Sequence, residues 1–284
     1  MKKMLVDFSC SVVAVGKNDV TIDRPVRVDI RPQWKPVFES DAPTVQDVGV
    51  ENLTIAFPVT PYAGHHNEPG YNGILFQRVS NGWVRNVNIL NADVGIVFRS
   101  GSKFCTVKGV DMRSEKGRLR AGWEGHHGVE VADNSQDNLI TEFRMFSRFI
   151  HSISLTSMAA GNVFMKGWGT DLSFDHHRKA PYENLFTEIN IGEGSDLWLS
   201  GGDEDAGPPS GARETLWNVM AETPQSFPTF AIQMNLIGVT TELHDDPKME
   251  GNWIEAIDPS ALTPPNLFES QLALRAPKKE KTKK

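Results

Sequence analysis

From residue 49 onward, apolar residues alternate with polar ones in short runs of two kinds. Such alternation marks a strand with one buried face, because successive strand side chains point to opposite sides. In the first kind, a small or polar residue is followed by apolar, any, apolar, any. It occurs at 73–77 (GILFQ), 95–99 (GIVFR), 128–132 (GVEVA), 152–156 (SISLT), 171–175 (DLSFD), 196–200 (DLWLS) and 229–233 (TFAIQ). The second kind, typified by Asn-Leu, occupies 52–55, 83–87, 104–107, 138–140, 162–164, 184–189 and 215–219. The two kinds take turns with a period of roughly 19 to 33 residues, in the range of solenoid repeats.

Strands this short, with no amphipathic helix between them, are not βαβ units. A β-sandwich would supply short alternating strands but not a fixed two-unit cycle. A chain that returns to the same sheet at every turn supplies both, burying alternate side chains inside each coil and stacking coil on coil. The pattern predicts an all-β fold, a right-handed parallel β-helix (solenoid) with a short C-terminal helix. Residues 1–48 contain short strand-like runs and read as first coils, 49–257 as the β-helix and 258–277 as a capping segment. Within that segment Leu267, Phe268, Leu272 and Leu274 suit one helix on the open end of the stack. The charged tail 278–284 reads as disordered. The asparagines heading the second unit read as αL turn residues or as ordinary surface asparagines.

If the apolar positions of the first unit face inward, the intervening ones form an outward grid. It holds Gln77 and Arg99, then Glu130, then Ser154 and Thr156. Asp171, Ser173 and Asp175 follow, then Asp196, Trp198 and Ser200. With strands about 4.8 Å apart, neighbouring carboxylates fall about 5–10 Å apart, the separation that paired carboxylates use in glycosidic cleavage. Long loops precede residues 73 and 127 and follow residues 175 and 200, as walls beside that floor. The candidate catalytic residues are therefore Glu130, Asp171, Asp175, His127, His177 and Arg178. Arg99, His151, His176, Lys179, Trp198 and Arg213 are candidates for substrate binding, Trp198 as a sugar platform and Arg213 as an anion clamp. Two adjacent histidines on an extended chain point opposite ways, so one of His176 and His177 faces the groove. His127 and His151 fall at the same place in successive coils and read as a structural pair, a metal pair or cleft residues. His65 and His66 are a loop pair without an assigned role. No residue is assigned as a metal ligand. The run Asp203-Glu204-Asp205 lacks EF-hand spacing and reads as a solvated loop.

A chain of 284 residues, 39% hydrophobic, buries a large core. Its net charge of −7 argues against a nucleic-acid partner. Two cysteines, Cys10 and Cys105, demand neither a disulfide framework nor a thiolate metal site. No apolar run approaches the length of a membrane span. The N-terminus loosely mimics an export leader, but Asp7 interrupts its apolar stretch and no small-residue cleavage site follows, so it does not read as a leader; a chain beginning inside a longer protein fits it equally well. P-loop, dinucleotide, nucleophile-elbow and zinc motifs are absent.

Over roughly residues 49–255 the paired-strand coil resembles the pectate-lyase-like superfamily of right-handed parallel β-helices. Three segments carry a closer resemblance: Asp175-His-His-Arg-Lys-Ala-Pro-Tyr-Glu-Asn-Leu-Phe186, Pro209-Ser-Gly-Ala-Arg-Glu-Thr-Leu-Trp217 and Pro264-Pro-Asn-Leu-Phe-Glu-Ser-Gln-Leu-Ala-Leu-Arg275. They are similar to segments of a group of bacterial β-helix proteins predicted to act on polysaccharides. The superfamily contains polysaccharide lyases, glycoside hydrolases, pectin esterases, epimerases and phage tailspikes. The resemblance implies a polysaccharide substrate, a secreted or periplasmic location, and a monomer or homotrimer. Neither the lyases' calcium triad with its arginine base nor the polygalacturonases' aspartate motif maps onto this chain. The family's usual N-terminal cap is also not evident. The first expectation is a lyase cleaving a uronic-acid-containing polysaccharide by β-elimination, with calcium as its potential cofactor. The second is a glycoside hydrolase using Asp171 and Asp175, or Glu130, as acid and base. The third is a non-catalytic carbohydrate-binding or tailspike-like β-helix.

Overall fold

The structure, a computed structural model, describes residues 6–230, 232–241 and 251–275. The strands run in order as β1 (Val12–Val15), β2 (Val20–Ile22), β3 (Val45–Gln46), β4 (Gly49–Ala56), β5 (Asn72–Gln77) and β6 (Val79–Ser80). Then come β7 (Trp83–Leu90), β8 (Val94–Arg99), β9 (Thr106–Arg113), β10 (Gly125–Val131), β11 (Leu139–Met145) and β12 (Phe149–Leu155). The last are β13 (Val163–Gly169), β14 (Phe174–His176), β15 (Leu185–Asn190), β16 (Thr215–Met220), β17 (Asn235–Val239) and β18 (Trp253–Glu255), followed by the helix α1 (Leu267–Arg275).

The two predicted units form two stacks. A five-stranded sheet runs β5-β8-β10-β12-β14, and a nine-stranded sheet runs β4-β7-β9-β11-β13-β15-β16-β17-β18. Every pairing in both is parallel, and through the middle of the chain each strand pairs with the strand one coil away. Single bridges link Lys103, Gln136, Ala160, Tyr182 and Ala212 down the turn between the sheets. This is the parallel β-helix that the period implies. Inside, like stacks on like: Phe76 on Phe98 at 5.0 Å and Phe164 on Phe186 at 5.1 Å. The small residue heading the first unit has a steric cause. A Cβ on Gly128 would lie 2.5 Å from the Ser152 carbonyl oxygen, and one on Gly95 would lie 2.4 Å from that of Gly128.

Of the asparagines heading the second unit, Asn52 is exposed and left-handed as expected, but three are neither turn residues nor surface residues. Asn138, Asn162 and Asn184 are buried and form a ladder along the stack. Asn162 Oδ1 accepts from the Asn138 backbone N–H (3.1 Å) and side-chain Nδ2 (3.0 Å), and Asn184 Oδ1 does the same for Asn162 (3.1 and 2.9 Å). The left-handed turn falls one residue earlier, at Phe104, Asp137, Gly161, Glu183 and Arg213. Where the next asparagine would stand is Glu214. Its Oε1 accepts from Asn184 Nδ2 (2.8 Å), and its Oε2 lies 2.6 Å from His176 Nε2.

Four expectations change. Residues 6–48 are not first coils (1–5 lie outside the described residues): β1 and β2 pair antiparallel with each other, and only β3 joins the stack, through β6. The arm lies along the bridge column, where Arg24 and Arg27 meet Asp137, Arg27 meets Glu183, and Lys103 meets Asp41. The 258–275 segment packs on the nine-stranded sheet, not on an open end. Trp217 Nε1 donates to Pro264 O (2.7 Å), Asn218 Nδ2 to Pro265 O (2.9 Å), and the Leu267 amide to Thr187 Oγ1 (3.0 Å). The runs 196–200 and 229–233 form no named strand, and residue 231 lies outside the described residues. At 196–200, Asp196 Oδ1 accepts from the Trp198 amide (3.0 Å) and Ser200 Oγ donates to Trp198 O (2.9 Å). These local bonds take the place of ladder bonds. The 171–175 run enters the sheet only at its end, because Asp171 instead bridges antiparallel to Gly192. The tail 278–284 lies outside the described residues.

Candidate functional site

The site stands on the outward face of β10, β12 and β14. Register places His127 beside His151, and Glu130 beside Ser154, which in turn stands beside Asp175. One strand supplies both His127 and Glu130 to this face because the two residues between them turn inward. Val129 is fully buried in the core, and a Cβ on Gly128 would meet Met145 Sδ.

Asp175 is the hub. Its side chain is fully buried, yet its oxygens are taken: Oδ2 accepts from Ser154 Oγ (2.7 Å) and His177 Nδ1 (2.8 Å), and Oδ1 accepts from the Gly201 amide (2.9 Å). Burial by itself would raise its pKa. The hydrogen bond and charge of His177, with the Ser154 hydrogen bond, outweigh that and hold the carboxyl below the ordinary aspartate value. The same pairing acts in reverse on His177. Burial disfavours its cation, but the bond and charge of Asp175 raise its pKa above the ordinary histidine value. Nδ1–H therefore donates to the aspartate, and no hydrogen bond from Nε2 is found among the described residues.

Around this dyad six of the eight histidines converge. Ring centroids lie 3.8 Å apart for His65 and His66, 4.3 Å for His65 and His126, 5.5 Å for His126 and His151, and 5.1 Å for both His127–His151 and His151–His177. Burial pushes His126 and His151 down to about 4 and His127 well below the ordinary value, so these rings are neutral at pH 7. His126 Nδ1 lies 3.1 Å from Glu68 Oε1, which accepts from the Tyr62 hydroxyl (2.6 Å). Among the described residues, buried nitrogens without a partner remain at His126 Nε2, His127 Nδ1 and His151 Nε2. His151 Nδ1 is 3.2 Å from Asp175 Oδ2 but is not aligned as a hydrogen bond.

The loops that close the site are tied from below. Fully buried Arg118 reaches Asp93 Oδ1 (2.5 Å) and the Glu124 carbonyl (2.9 Å), and Asp93 Oδ2 accepts from the Gly70 and Tyr71 amides (3.1 and 2.7 Å). That pair carries the loop bearing His65 and Glu68 over β10. On the other side Arg178 donates to the Gly201 and Gly207 carbonyls (3.3 and 2.6 Å), holding that loop against His151 and His177. Two groups have ligand atoms within 4.8 Å of one another: His65, His126 and His151, and His151, Asp175 and His177.

Of the sequence candidates, His127, His151, Asp175, His177, Glu130 and Arg99 come together. Arg99 Nη2 lies 3.1 Å from both Glu130 oxygens, and exposed Lys179 follows two residues after His177. The others do not join as expected. Asp171 faces Arg148 (2.9 Å) and the Ser195 amide (2.9 Å). His176 points inward to Glu214 and is fully buried, so it binds no substrate; the odd-even rule thus selects His177 for the groove. Trp198 is 9% exposed, packs in the core and donates to the Ser226 carbonyl, so it is no sugar platform. Arg213 binds Glu183 (2.8 Å) and the Arg27 carbonyl (3.4 Å), out on the bridge column. Arg178 positions a loop rather than a proton. His65, Glu68 and His126 were missed as site residues. The available signal was the long loop before residue 73 and the His126-His127 doublet.

No protein-family model matches the chain, and no curated protein matches it. Among solved structures, DFA-IIIase from Arthrobacter chlorophenolicus A6, determined without its lid, is similar at a TM-score of 0.46 and 12% identity, over 71% of this chain and 65% of that one. The chain thus spans less than two thirds of that protein's length, at a likeness too low to bear on activity.

Proposed function

We propose that the protein is a carbohydrate-active enzyme that cleaves an acidic polysaccharide by β-elimination, with His177 as the base. The observation that carries this reading is the Asp175–His177 dyad. A buried, ionised carboxylate holds Nδ1–H at 2.8 Å, fixing the tautomer that presents Nε2 with its lone pair. β-Elimination needs a base for the proton α to the uronate carboxylate and positive charge to make that proton acidic. His177 Nε2 takes the C5 proton. The electron pair forms the C4–C5 double bond, the C4–O4 bond breaks, and the departing oxygen is protonated by the imidazolium or by water. Arg99, half exposed at the rim, and exposed Lys179 supply positive charge for the uronate. Hydrolysis by Asp171 and Asp175 has less support, since Asp175 is saturated by three donors and Asp171 is tied to Arg148.

The test is a panel of uronic-acid and sulfated glycans read by ultraviolet absorbance and reducing ends together. Elimination raises both, and His177→Ala removes both. Reducing ends without absorbance would replace elimination with hydrolysis. No product from any glycan, with binding retained, would make the chain a binding β-helix.

A further inference from the structure

We propose that His65, His126 and His151 form a binding site for one zinc-type transition-metal dication. The donor set comes first. Three imidazoles from three separated parts of the chain meet with ligand atoms within 4.8 Å of one another. A tetrahedral zinc ion with nitrogen ligands at about 2.0–2.1 Å places them about 3.4 Å apart, so the three nitrogens would draw together by about 1.4 Å or less to close the site. Calcium is a poor fit, because it takes six to eight oxygens and these are nitrogens.

The unpartnered nitrogens come second. His126 Nε2 and His151 Nε2 are buried with no hydrogen-bond partner among the described residues. Buried polar atoms are ordinarily paired, and a stack of rings packed for shape alone gives no reason for two lone pairs to be left over in one place. An ion there would satisfy both. The outer shell comes third. The far nitrogen of His126 lies 3.1 Å from Glu68, and Tyr62 holds that carboxylate at 2.6 Å. A carboxylate behind a ligating histidine orients the ring and makes it a better donor. The fully buried Arg118–Asp93 pair beneath fixes the loop that carries these groups.

The second triad, His151, Asp175 and His177, is a weaker claimant. There Asp175 Oδ2 already accepts from Ser154 and His177. His151 turns Nδ1 toward that oxygen, so Nε2 is the nitrogen left for the ion. Three protein ligands leave a fourth position open, as in catalytic rather than structural zinc sites. With His151 and His177 rings 5.1 Å apart, that position adjoins the dyad and suits a water or a substrate carboxylate. The inference does not rest on the elimination reading, because binding is measured without substrate.

The experiment takes the full chain, free of any histidine tag and stripped with chelator. It is titrated separately with Zn2+, Co2+ and Ca2+, read by calorimetry, metal analysis and the visible spectrum of Co2+. One Zn2+ per chain is expected, with Co2+ bands of a nitrogen-rich tetrahedral site and no competition from Ca2+. His65 is exposed, so His65→Ala leaves the fold intact and should weaken Zn2+ about 100-fold or more. Glu68→Gln should weaken it about 10- to 100-fold, and His177→Ala should retain it. A folded chain that binds no Zn2+ overturns the proposal. So does binding that survives His65→Ala, or binding lost in His177→Ala, which would move the ion to the dyad. A failed glycan panel leaves these readings untouched.

Discussion

Glu214 ends the asparagine ladder and neutralises a histidine directly behind the candidate site, so its replacement tests the buried polar network under β14. Neither side chain of the His176–Glu214 pair is exposed. Glu214→Gln keeps the amide oxygen as acceptor for Asn184 Nδ2, now 2.8 Å away. The new NH2 group donates to neutral His176 Nε2, while His176 Nδ1–H still donates to the Phe174 carbonyl at 2.9 Å. Only the charge is lost. Bonds to charged groups contribute about 1.5–3 kcal/mol against about 0.5–1.5 for neutral ones, so the change costs about 1–1.5 kcal/mol. Glu214→Ala also leaves the ring nitrogen unpartnered and opens a void, and should cost about 3–5 kcal/mol. The two differ in pH dependence as well. Burial disfavours the His176 cation, but Glu214 outweighs it and raises the pKa above the ordinary value. A raised histidine stabilises the fold fully below about pH 6.5, its unfolded value, and that contribution is lost as pH rises through the folded value. The gap between wild type and Glu214→Gln should be largest near pH 6 and shrink toward pH 9. Urea unfolding followed by tryptophan fluorescence across that range measures it. A gap that stays flat or widens with pH would refute the charged pair, and equal losses for Gln and Ala would refute the hydrogen-bond accounting.

Asp175→Asn should lower the rate of glycan cleavage about 10²- to 10⁴-fold. Without the carboxylate that raises its pKa, His177 should lose its proton at lower pH, so the acid limb of the pH–rate profile moves down; an unchanged limb would separate the two residues. Asn162→Ala should cost about 2–4 kcal/mol in urea unfolding, because the buried Asn138 amide loses its acceptor together with the bonds to Asn184 and Ser135. Gly128→Ala should cost about 1–3 kcal/mol, seen as a lower Tm, since its methyl meets the Ser152 backbone oxygen at 2.5 Å. Asp93→Ala should leave Arg118 as a buried unpaired charge and free the loop bearing His65, with faster proteolysis of that loop than of the sheets as the readout.

Half of the candidate site was legible because it lies on regular strand. Glu130 and Asp175 take the outward face that alternation assigns them in β10 and β14, and His127 and His151 stand at matching places in β10 and β12, reaching the same face because two successive residues of β10, Gly128 and Val129, turn inward. The reading failed where that alternation was carried past the end of the sheet. Asp171 peels away to Gly192, and the Asp196 and Ser200 side chains satisfy their own backbone, so Trp198 turns into the core. Asn138, Asn162 and Asn184 were recognised as a repeated position but given the wrong role. A stacking amide ladder needs the next coil for its partner, and that partner is distant in sequence.

The sequence by itself determined the β-helix and the strands on which the candidate site stands. Both follow from local rules: strand period, coil length, and the need for a small residue where coils touch. Only the tertiary structure decided what that chemistry has to work with. His65, His126 and His151 are brought together by loop closure over Arg118 and Asp93. The charge states of Asp175 and His177 depend on burial and on each other. Contact between distant segments and desolvation are properties of the packed chain, and neither has a local signature.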